Sequence, residues 1–495
     1  MIAIRGAAGT GKTTLMQEAT EAIEATGKSV HVFAPSAEAS RGVLRKEGFS
    51  DAETVAKLLQ DEKLQSRLKG QVVWIDEAGQ LGSRTLKQVT DLAWKQEFRL
   101  VLSGDPKQHG SVERGDVLRL VESQAGLPVV EVTEIKRQKG DYKKAIQALS
   151  RGDVETGLAR LDAIGSVKEI AEETRHKRLA ADYLETVSVR KSVLVVSPTH
   201  LEGERVTAEI RAGLRAKGWL SSKERQLFRF KNLSHTAAQR GDSLNYESGQ
   251  VVIFHQNAKG FKRGERATVL GPDEHGSIWV DRESGNPAPL PLSQADRFQV
   301  YEAGKLELAA GDTIRITQNG WTADKRHRLN NGAHYALADF EENGDLRLQN
   351  GWVVAQDFGH LAHGYVTTSH ASQGKTVDRV FISQGSESAG AASREQLYVS
   401  ASRAKERCTI YTDDKSALLS AVKRSGVRMA ATELVAEAKP EPSRLERIKE
   451  HAQLVNRLAS VAQAYAAQKL DDFRSGIGKI KERIKTPDRG RRYGG

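Results

Sequence analysis

Gly6-Ala7-Ala8-Gly9-Thr10-Gly11-Lys12-Thr13 carries the spacing glycine, four residues, glycine, lysine, threonine. Small residues let backbone N–H groups close around phosphate oxygens, and a helix beginning there adds the partial positive charge of its N-terminus. Lys12 is spaced to reach the β/γ-phosphates and Thr13 to hold Mg²⁺. Further on, the apolar run Val72-Val73-Trp74-Ile75 ends in Asp76 and Glu77. Two acids at the end of a buried strand suit phosphoryl chemistry: Asp76 would hold Mg²⁺ through water, and Glu77 would orient and deprotonate the attacking water. That reaction also needs positive charge where the γ-phosphoryl group expands. Arg137, in Thr133-Glu134-Ile135-Lys136-Arg137-Gln138, and Arg403, in Tyr398-Val399-Ser400-Ala401-Ser402-Arg403, are candidates, although either one taken in isolation reads more readily as an ordinary surface charge. Gln108, in Gly104-Asp105-Pro106-Lys107-Gln108, is placed either to sense the γ-phosphate or to sit in a polar turn.

These groups need elements that bring them together. Ile2-Ala3-Ile4 reads as a strand and Thr14 to Ala25 as a helix, so the glycine-rich run lies at a strand–turn–helix junction. Strand candidates Ile2–Arg5, Val30–Ala34, Val72–Ile75, Arg99–Ser103 and Val129–Val132 alternate with helical stretches. The pattern predicts a parallel sheet with helices on both faces. Ligands of such sheets bind at the carboxyl ends of strands, where the glycine-rich loop, Pro35-Ser36, Asp76-Glu77 and Gly104-Asp105 all fall. Residues 140–190 look helical and charged. A second α/β segment opens at Val193–Val196, followed by Ser197-Pro198-Thr199, and resumes at Gly364–Thr368, Val380–Ser383 and Cys408–Thr412. Between them, roughly 245–358, short β-like pieces separated by Gly and Asn turns read as small β-barrel-like modules. The end of the chain reads as helical (Leu454, Leu458, Val461 and Tyr465 at helical spacing) and then basic.

With 495 residues, the chain has room for two or three domains, and 38% hydrophobic with 28% charged residues describes a globular protein. No apolar run approaches a membrane span, and the first residues lack a signal-peptide pattern. The single cysteine, Cys408, excludes an intramolecular disulfide, suits a reducing cytosol and reads as a buried structural thiol. A net charge of +11 favours a polyanionic partner. The stretch Thr367-Thr368-Ser369-His370-Ala371-Ser372-Gln373-Gly374-Lys375-Thr376 is rich in hydroxyls and small residues, which suits backbone phosphates of a single strand. His370 reads as a hydrogen-bonding histidine; His360 and His363 have no companion ligands, so no metal besides Mg²⁺ is expected.

Taken in order, the pieces resemble the motif series of superfamily 1 DNA helicases of the 5′→3′, RecD-like branch, above all the helicase half of MobF-class conjugative relaxase–helicases. Gly6–Thr14 is similar to Walker A, Phe33–Ala37 to motif Ia, Trp74–Gly79 to Walker B and Leu102–Gln108 to motif III. Glu134–Gln138 is similar to motif IV, Tyr365–Thr376 to motif V and Gln396–Arg403 to motif VI. Two inserted stretches, Ser248–Gly260 and Ala310–Asn319, look like these relaxases as well. The resemblance implies two RecA-like P-loop domains at 1–140 and at 191–244 with 359–415. It also implies a helical connector at 141–190, inserted SH3-like modules at 245–358 and a helical basic tail at 416–495.

It further implies an ATP and Mg²⁺ site built from Gly6, Ala7, Ala8, Gly9, Thr10, Gly11, Lys12, Thr13, Thr14, Gln373 and Gly374. Asp76, Glu77, Gln108, Arg137 and Arg403 would act there, and Pro35, Ser36, Thr199, His370 and Thr376 would line a single-stranded DNA track. The implied activity is ATP-driven 5′→3′ travel on single-stranded DNA in a cytoplasmic, conjugative or plasmid-type setting, alongside relaxosome or other DNA-processing proteins. Three departures shape the expectation. No tyrosine-nucleophile region or three-histidine cluster precedes the motor, so nicking is not expected. The chain begins five residues before Gly6, without the family's adenine-gripping glutamine segment. Roughly 30 residues separate motif Ia from Walker B, too few for a large strand-separating pin, so translocation is expected ahead of unwinding. A truncated, non-hydrolysing nucleic-acid-binding remnant is the alternative.

Overall fold

The structure is a computed structural model that describes residues 1–111, 113 and 115–427. The expected tail beyond residue 427 lies outside the described residues. The first sheet has six strands, all parallel, in the order Glu53–Thr54, Val30–Ala34, Val72–Ile75, Arg99–Gly104, Ile2–Gly6, Val129–Val132. All five expected strands are present, and the helix after the glycine-rich loop runs Lys12–Glu24. Val72–Ile75 is buried along its whole length, as a strand covered on both faces must be. Its apolar side chains hold the strand in the sheet interior, so the first polar residues after it, Asp76 and Glu77, emerge at the carboxyl edge.

The second sheet is also parallel: Val366–Thr367, Val193–Val196, Val377–Ser383, Ala404–Thr412, Val167–Glu169. Its last strand comes from the stretch read as a helical connector. Three residues between the helices Val154–Ala163 and Glu172–Ser188 are too few for a period of two to register in sequence. The two parallel sheets define two RecA-like α/β lobes, in keeping with the fold expected.

The inserted region forms two antiparallel sheets. One runs Ala288–Pro289, Ile278–Arg282, Arg266–Pro272, Val251–Phe254, Phe298–Ala309, Glu224–Asn232; the other runs Val353–Val354, Leu346–Leu348, His334–Phe340, Thr313–Ile316, Leu361–His363. Neither closes on itself: among the described residues no pairing joins the edge strands of either sheet, so they are open sheets, not barrels. Glu224–Asn232, inside the stretch assigned to the second lobe, pairs over nine residues with Phe298–Ala309. Its charged sequence, ERQLFRFKN, hides the strand because an edge strand needs few apolar residues and benefits from charge. Among the described residues no helix is long and apolar enough to cross a membrane.

Cys408 lies on the strand Ala404–Thr412 in the core shared by the second sheet and its covering helices, fully buried. Burial drives its thiol well above the ordinary range. A thiol-specific chromogenic reagent should therefore react with the native chain only as fast as it unfolds, and with one thiol per chain at once in denaturant. Rapid stoichiometric labelling of the native protein would contradict this packing.

Candidate functional site

The strand Ile2–Gly6 delivers the glycine-rich loop, whose turn is made by Gly9 and Gly11 at φ values of 79° and 84°. Only glycine enters that left-handed region without strain. A Cβ at Gly6 would come 2.7 Å from Thr10 Oγ1, and one at Gly9 2.7 Å from Arg137 Cβ, so bare backbone is also a steric requirement. Lys12 Nζ donates to the carbonyls of Gly6 at 2.6 Å and Ala7 at 3.3 Å. The N–H groups of Lys136 and Arg137 donate to Gly9 O, tying the segment after the sixth strand to the loop.

At the end of Val72–Ile75, Trp74 Nε1 donates to Ser103 Oγ at 2.8 Å, and Ser103 Oγ donates to Asp76 Oδ1 at 2.7 Å. Ser103 thus aims the Asp76 carboxylate. Glu77 adopts φ 54°, a left-handed conformation that costs a side-chain-bearing residue about 1–2 kcal/mol. Its carboxylate accepts a hydrogen bond from Gln373 Nε2 at 3.1 Å. Burial and then the adjacent Asp76 charge raise the Glu77 pKa, against the opposing pull of Lys12 and Arg403.

These groups meet in one cavity of about 380 Å³, lined by the loop from Ala8 to Thr14 and by Asp76, Glu77, Gln108, Arg137, Gly374, Thr376 and Arg403. Gly6, Ala7 and Gln373 stand behind the wall: the first two hold Lys12 and the third holds Glu77. Thr376, expected on the strand track, lies with the nucleotide-site group. Ala39, Val43, Leu44, Glu47 and Lys136, which spacing did not single out, complete the lining.

The cavity is walled by both lobes, and hydrogen bonds cross it. Arg137 Nη1 donates to Ser402 O at 2.9 Å; Gln138 Nε2 donates to Ser402 O at 3.0 Å and Ala404 O at 2.7 Å; Tyr142 Oη donates to Ala401 O at 2.6 Å. Tyr398 of the second lobe donates its hydroxyl proton to Asp105 at 2.7 Å and accepts from the Ala8 N–H of the phosphate loop at 2.8 Å. Arg403, 3% exposed, reaches Gln108 Oε1 at 3.4 Å through Nη2. Burial, then Arg403, draws Arg137 down to about 10, and burial likewise lowers Arg403. Arg137 therefore stays charged at neutral pH.

Of the other expected strand-track residues, Pro35 and Ser36 follow the second strand, with Ser36 Oγ accepting from Ala39 N at 3.0 Å. Thr199 caps the helix His200–Ala216. His370 sits in the short helix Ser369–Ser372 and stacks on His109 of the first lobe, with centroids 3.6 Å apart. His109 Nε2 lies 2.8 Å from Ser369 Oγ, and burial with the neighbouring His370 takes its pKa down to about 3. Tyr398, Gln138, Tyr142, Ser103 and His109 were not singled out for roles. Tyr398 and Gln138 stand within the motif stretches, yet spacing carries no sign that their partners lie more than 250 residues away.

A P-loop cavity is thus shared by two parallel-sheet lobes and entered by an arginine of the second. Residues 1–172 match the family described as AAA domain, and residues 363–411 match the UvrD-like helicase C-terminal domain. The conjugal transfer protein TraA of Rhizobium radiobacter is 25% identical over 84% of this chain and 31% of its own length. The multifunctional conjugation protein TraI of Escherichia coli K12 is 24% identical over 88% of this chain and 28% of its own length. A solved Pif1 helicase from Bacteroides, crystallised with ADP-AlF3 and single-stranded DNA, covers 88% of this chain and 92% of its own, at 16% identity and a TM-score of 0.41. The chain resembles superfamily 1B helicases, in particular the helicase region of MobF-class conjugation proteins, and spans about a third of the length of those relatives.

Tyr398→Phe deletes a hydroxyl that serves two buried partners. It should lower the unfolding free energy by about 1–3 kcal/mol in chemical denaturation; an unchanged midpoint would mean that Ala8 and Asp105 find other partners.

Proposed function

We propose that the protein is an ATP-driven motor that translocates 5′→3′ along single-stranded DNA and opens duplex as a consequence, in conjugative or plasmid-type DNA processing in the cytoplasm. One observation carries most weight: Lys12 of the first lobe and Arg403 of the second line a single cavity beside Glu77. The donor set suits a triphosphate. Arg137, lowered by burial and by the neighbouring Arg403, and Arg403, lowered by its own burial, stand with a lysine turned back on its own loop carbonyls and make a pocket of positive charge that a polyanion relieves.

In this reading Lys12 and the loop N–H groups hold the β/γ-phosphates. Thr13 and Asp76 would hold Mg²⁺, which when bound neutralises charge on the phosphate oxygens. Glu77 takes the proton of the attacking water. Arg137 and Arg403 stabilise the charge that grows on the γ-phosphoryl oxygens, and Gln108, bonded to Arg403, reports whether that group is present. Loss of the γ-phosphate removes the anion that draws Arg403 inward, so the lobes separate and a strand held across their tops advances. Pro35, Ser36, Thr199 and His370 would touch that strand. The pair His109–His370 gives the strand side a direct contact with the loop that bears Gln108. The relatives' names as conjugal transfer and conjugation proteins support a setting with relaxosome or other DNA-processing partners.

Single-stranded DNA should accelerate ATP hydrolysis, and Lys12→Ala or Glu77→Gln should abolish turnover, the latter by at least about 10²-fold. Equal rates with and without DNA would count against a motor, and DNA binding with no hydrolysis at saturating ATP would favour the remnant. Affinity for single strands should fall steeply between low and physiological salt as counterions are released; a flat response would refute a basic track. Because the Glu77 pKa is raised, its basic form is lost as pH falls, so kcat should decline on the acidic side from a higher pH than an ordinary carboxylate would give. A profile flat down to pH about 4.5 would remove Glu77 as the base.

A further inference from the structure

A two-stranded ribbon, Gly320–Trp321 against Arg328–Leu329, stands on the inserted part of the chain. Its pairing sets Gly320 opposite Leu329 and Trp321 opposite Arg328, so Trp321 and Arg328 share one face. The opposite face is seated: Leu329 is fully buried, and a Cβ at Gly320 would lie 2.4 Å from the Phe358 ring. His327 stacks on Trp352 at 4.6 Å with the planes 8° apart. The turn is braced by Thr322 N donating to His327 O at 2.9 Å, His327 N to Thr322 Oγ1 at 3.0 Å and Ala323 N to Val353 O at 2.8 Å. The ribbon is thus held on one side and along its turn, and on its remaining face Trp321 is 54% exposed.

Charge surrounds that indole. Lys325, Arg326 and Arg328 follow it, with Asp324 the sole carboxylate between residues 320 and 329. Arg326 is 82% exposed and only 3.9 Å from Asp324, a contact too loose and wet to neutralise it firmly. An apolar protein surface would be a poor match for an indole rimmed by cations, whereas a polyanion carrying flat rings matches both.

The ribbon also rises from a meaningful place. Four residues, Asn330 to Ala333, join it to the strand His334–Phe340. A Cβ at Gly332 would lie 3.9 Å from Glu38 Cβ, and His334 Nδ1 is 3.3 Å from Lys375 Nζ. Glu38 is two residues beyond Ser36, and Lys375 lies between the cavity residues Gly374 and Thr376. The root of the ribbon therefore touches both segments that the proposed motor uses, one from each lobe.

We propose that this ribbon is a base-stacking platform for single-stranded nucleic acid, with Trp321 under a base and Lys325, Arg326 and Arg328 on backbone phosphates. The inference rests on the motor reading and extends it to the inserted sheets. Every base offers a π-face, so such a platform holds a moving strand without reading its sequence. The rigid, pre-seated indole loses little conformational entropy on binding.

The test uses the full chain and an oligothymidylate. Trp321→Ala should weaken equilibrium binding by about tenfold, in line with about 1–3 kcal/mol per stacked base, and Trp321→Phe should restore most of it. Replacing Lys325 and Arg326 together by Ala should flatten the plot of log affinity against log salt by about 1 to 1.5. Independently of any variant, photocrosslinking of a bromodeoxyuridine-substituted strand to the unmodified chain should label the peptide that contains Trp321. Equal affinity of wild type and Trp321→Ala, or crosslinks that omit that peptide, would overturn the platform and leave the motor standing. A wild-type chain that binds no oligothymidylate at all would overturn both.

Discussion

Buried positive charge shared between two lobes is the constraint on which the rest depends. Arg137 and Arg403 come from opposite sides of the cleft, and each is held by carbonyls of the segment 399–402; burial lowers the pKa of both, and Arg403 lowers that of Arg137 further. Such a pair is tolerable only because acids stand close by: Glu77, Asp76 and Asp105 answer the cations, and Glu77 itself carries a raised pKa from burial and from Asp76. The result is a balanced but tense cluster in which both signs are partly desolvated. A phosphate chain entering this cavity would change the balance for every member at once.

Hydrogen bonds also cross the cleft from one lobe to the other. Each contributes about 0.5–1.5 kcal/mol net. Several of these bonds end on the backbone of residues 401–404. That segment moves as part of the second sheet, since Ala404–Thr412 is one of its inner strands. Chemistry at one carbonyl cluster is thus joined to the position of a whole lobe. The stacked imidazoles of His109 and His370 add a further crossing between the lobes.

The inserted sheets are joined to the two lobes through few but specific contacts. Buried Arg211 pairs with Asp312, whose carboxylate also accepts from the Tyr365 hydroxyl, so one acid fixes the insertion to the helix His200–Ala216 and to the strand side of the second lobe. Lys375 and His334 make a smaller junction beside the cavity. Removing one partner of the Arg211–Asp312 pair would leave a buried charge, a penalty far larger than the net value of the pair. The insertion is consequently fixed in orientation where it meets the second lobe, and its exposed ribbon is aimed by that anchorage.

Sequence by itself determined the motifs, the strands that carry them and the parallel character of the first sheet; that of the second was implied by resemblance. These are local properties: a glycine pattern encodes a phosphate turn, and a run such as Val72–Ile75 encodes a strand buried on both faces whatever surrounds it. It left the strands Val167–Glu169 and Glu224–Asn232 unread, because one is too short and the other too charged to show a period. Tertiary structure alone decided which arginine faces which carbonyl, that the Tyr398 hydroxyl bridges Ala8 and Asp105, and that Thr376 joins the nucleotide cavity. Those facts depend on the register between lobes whose residues lie hundreds of positions apart, and no spacing along one chain encodes a distance across a cleft.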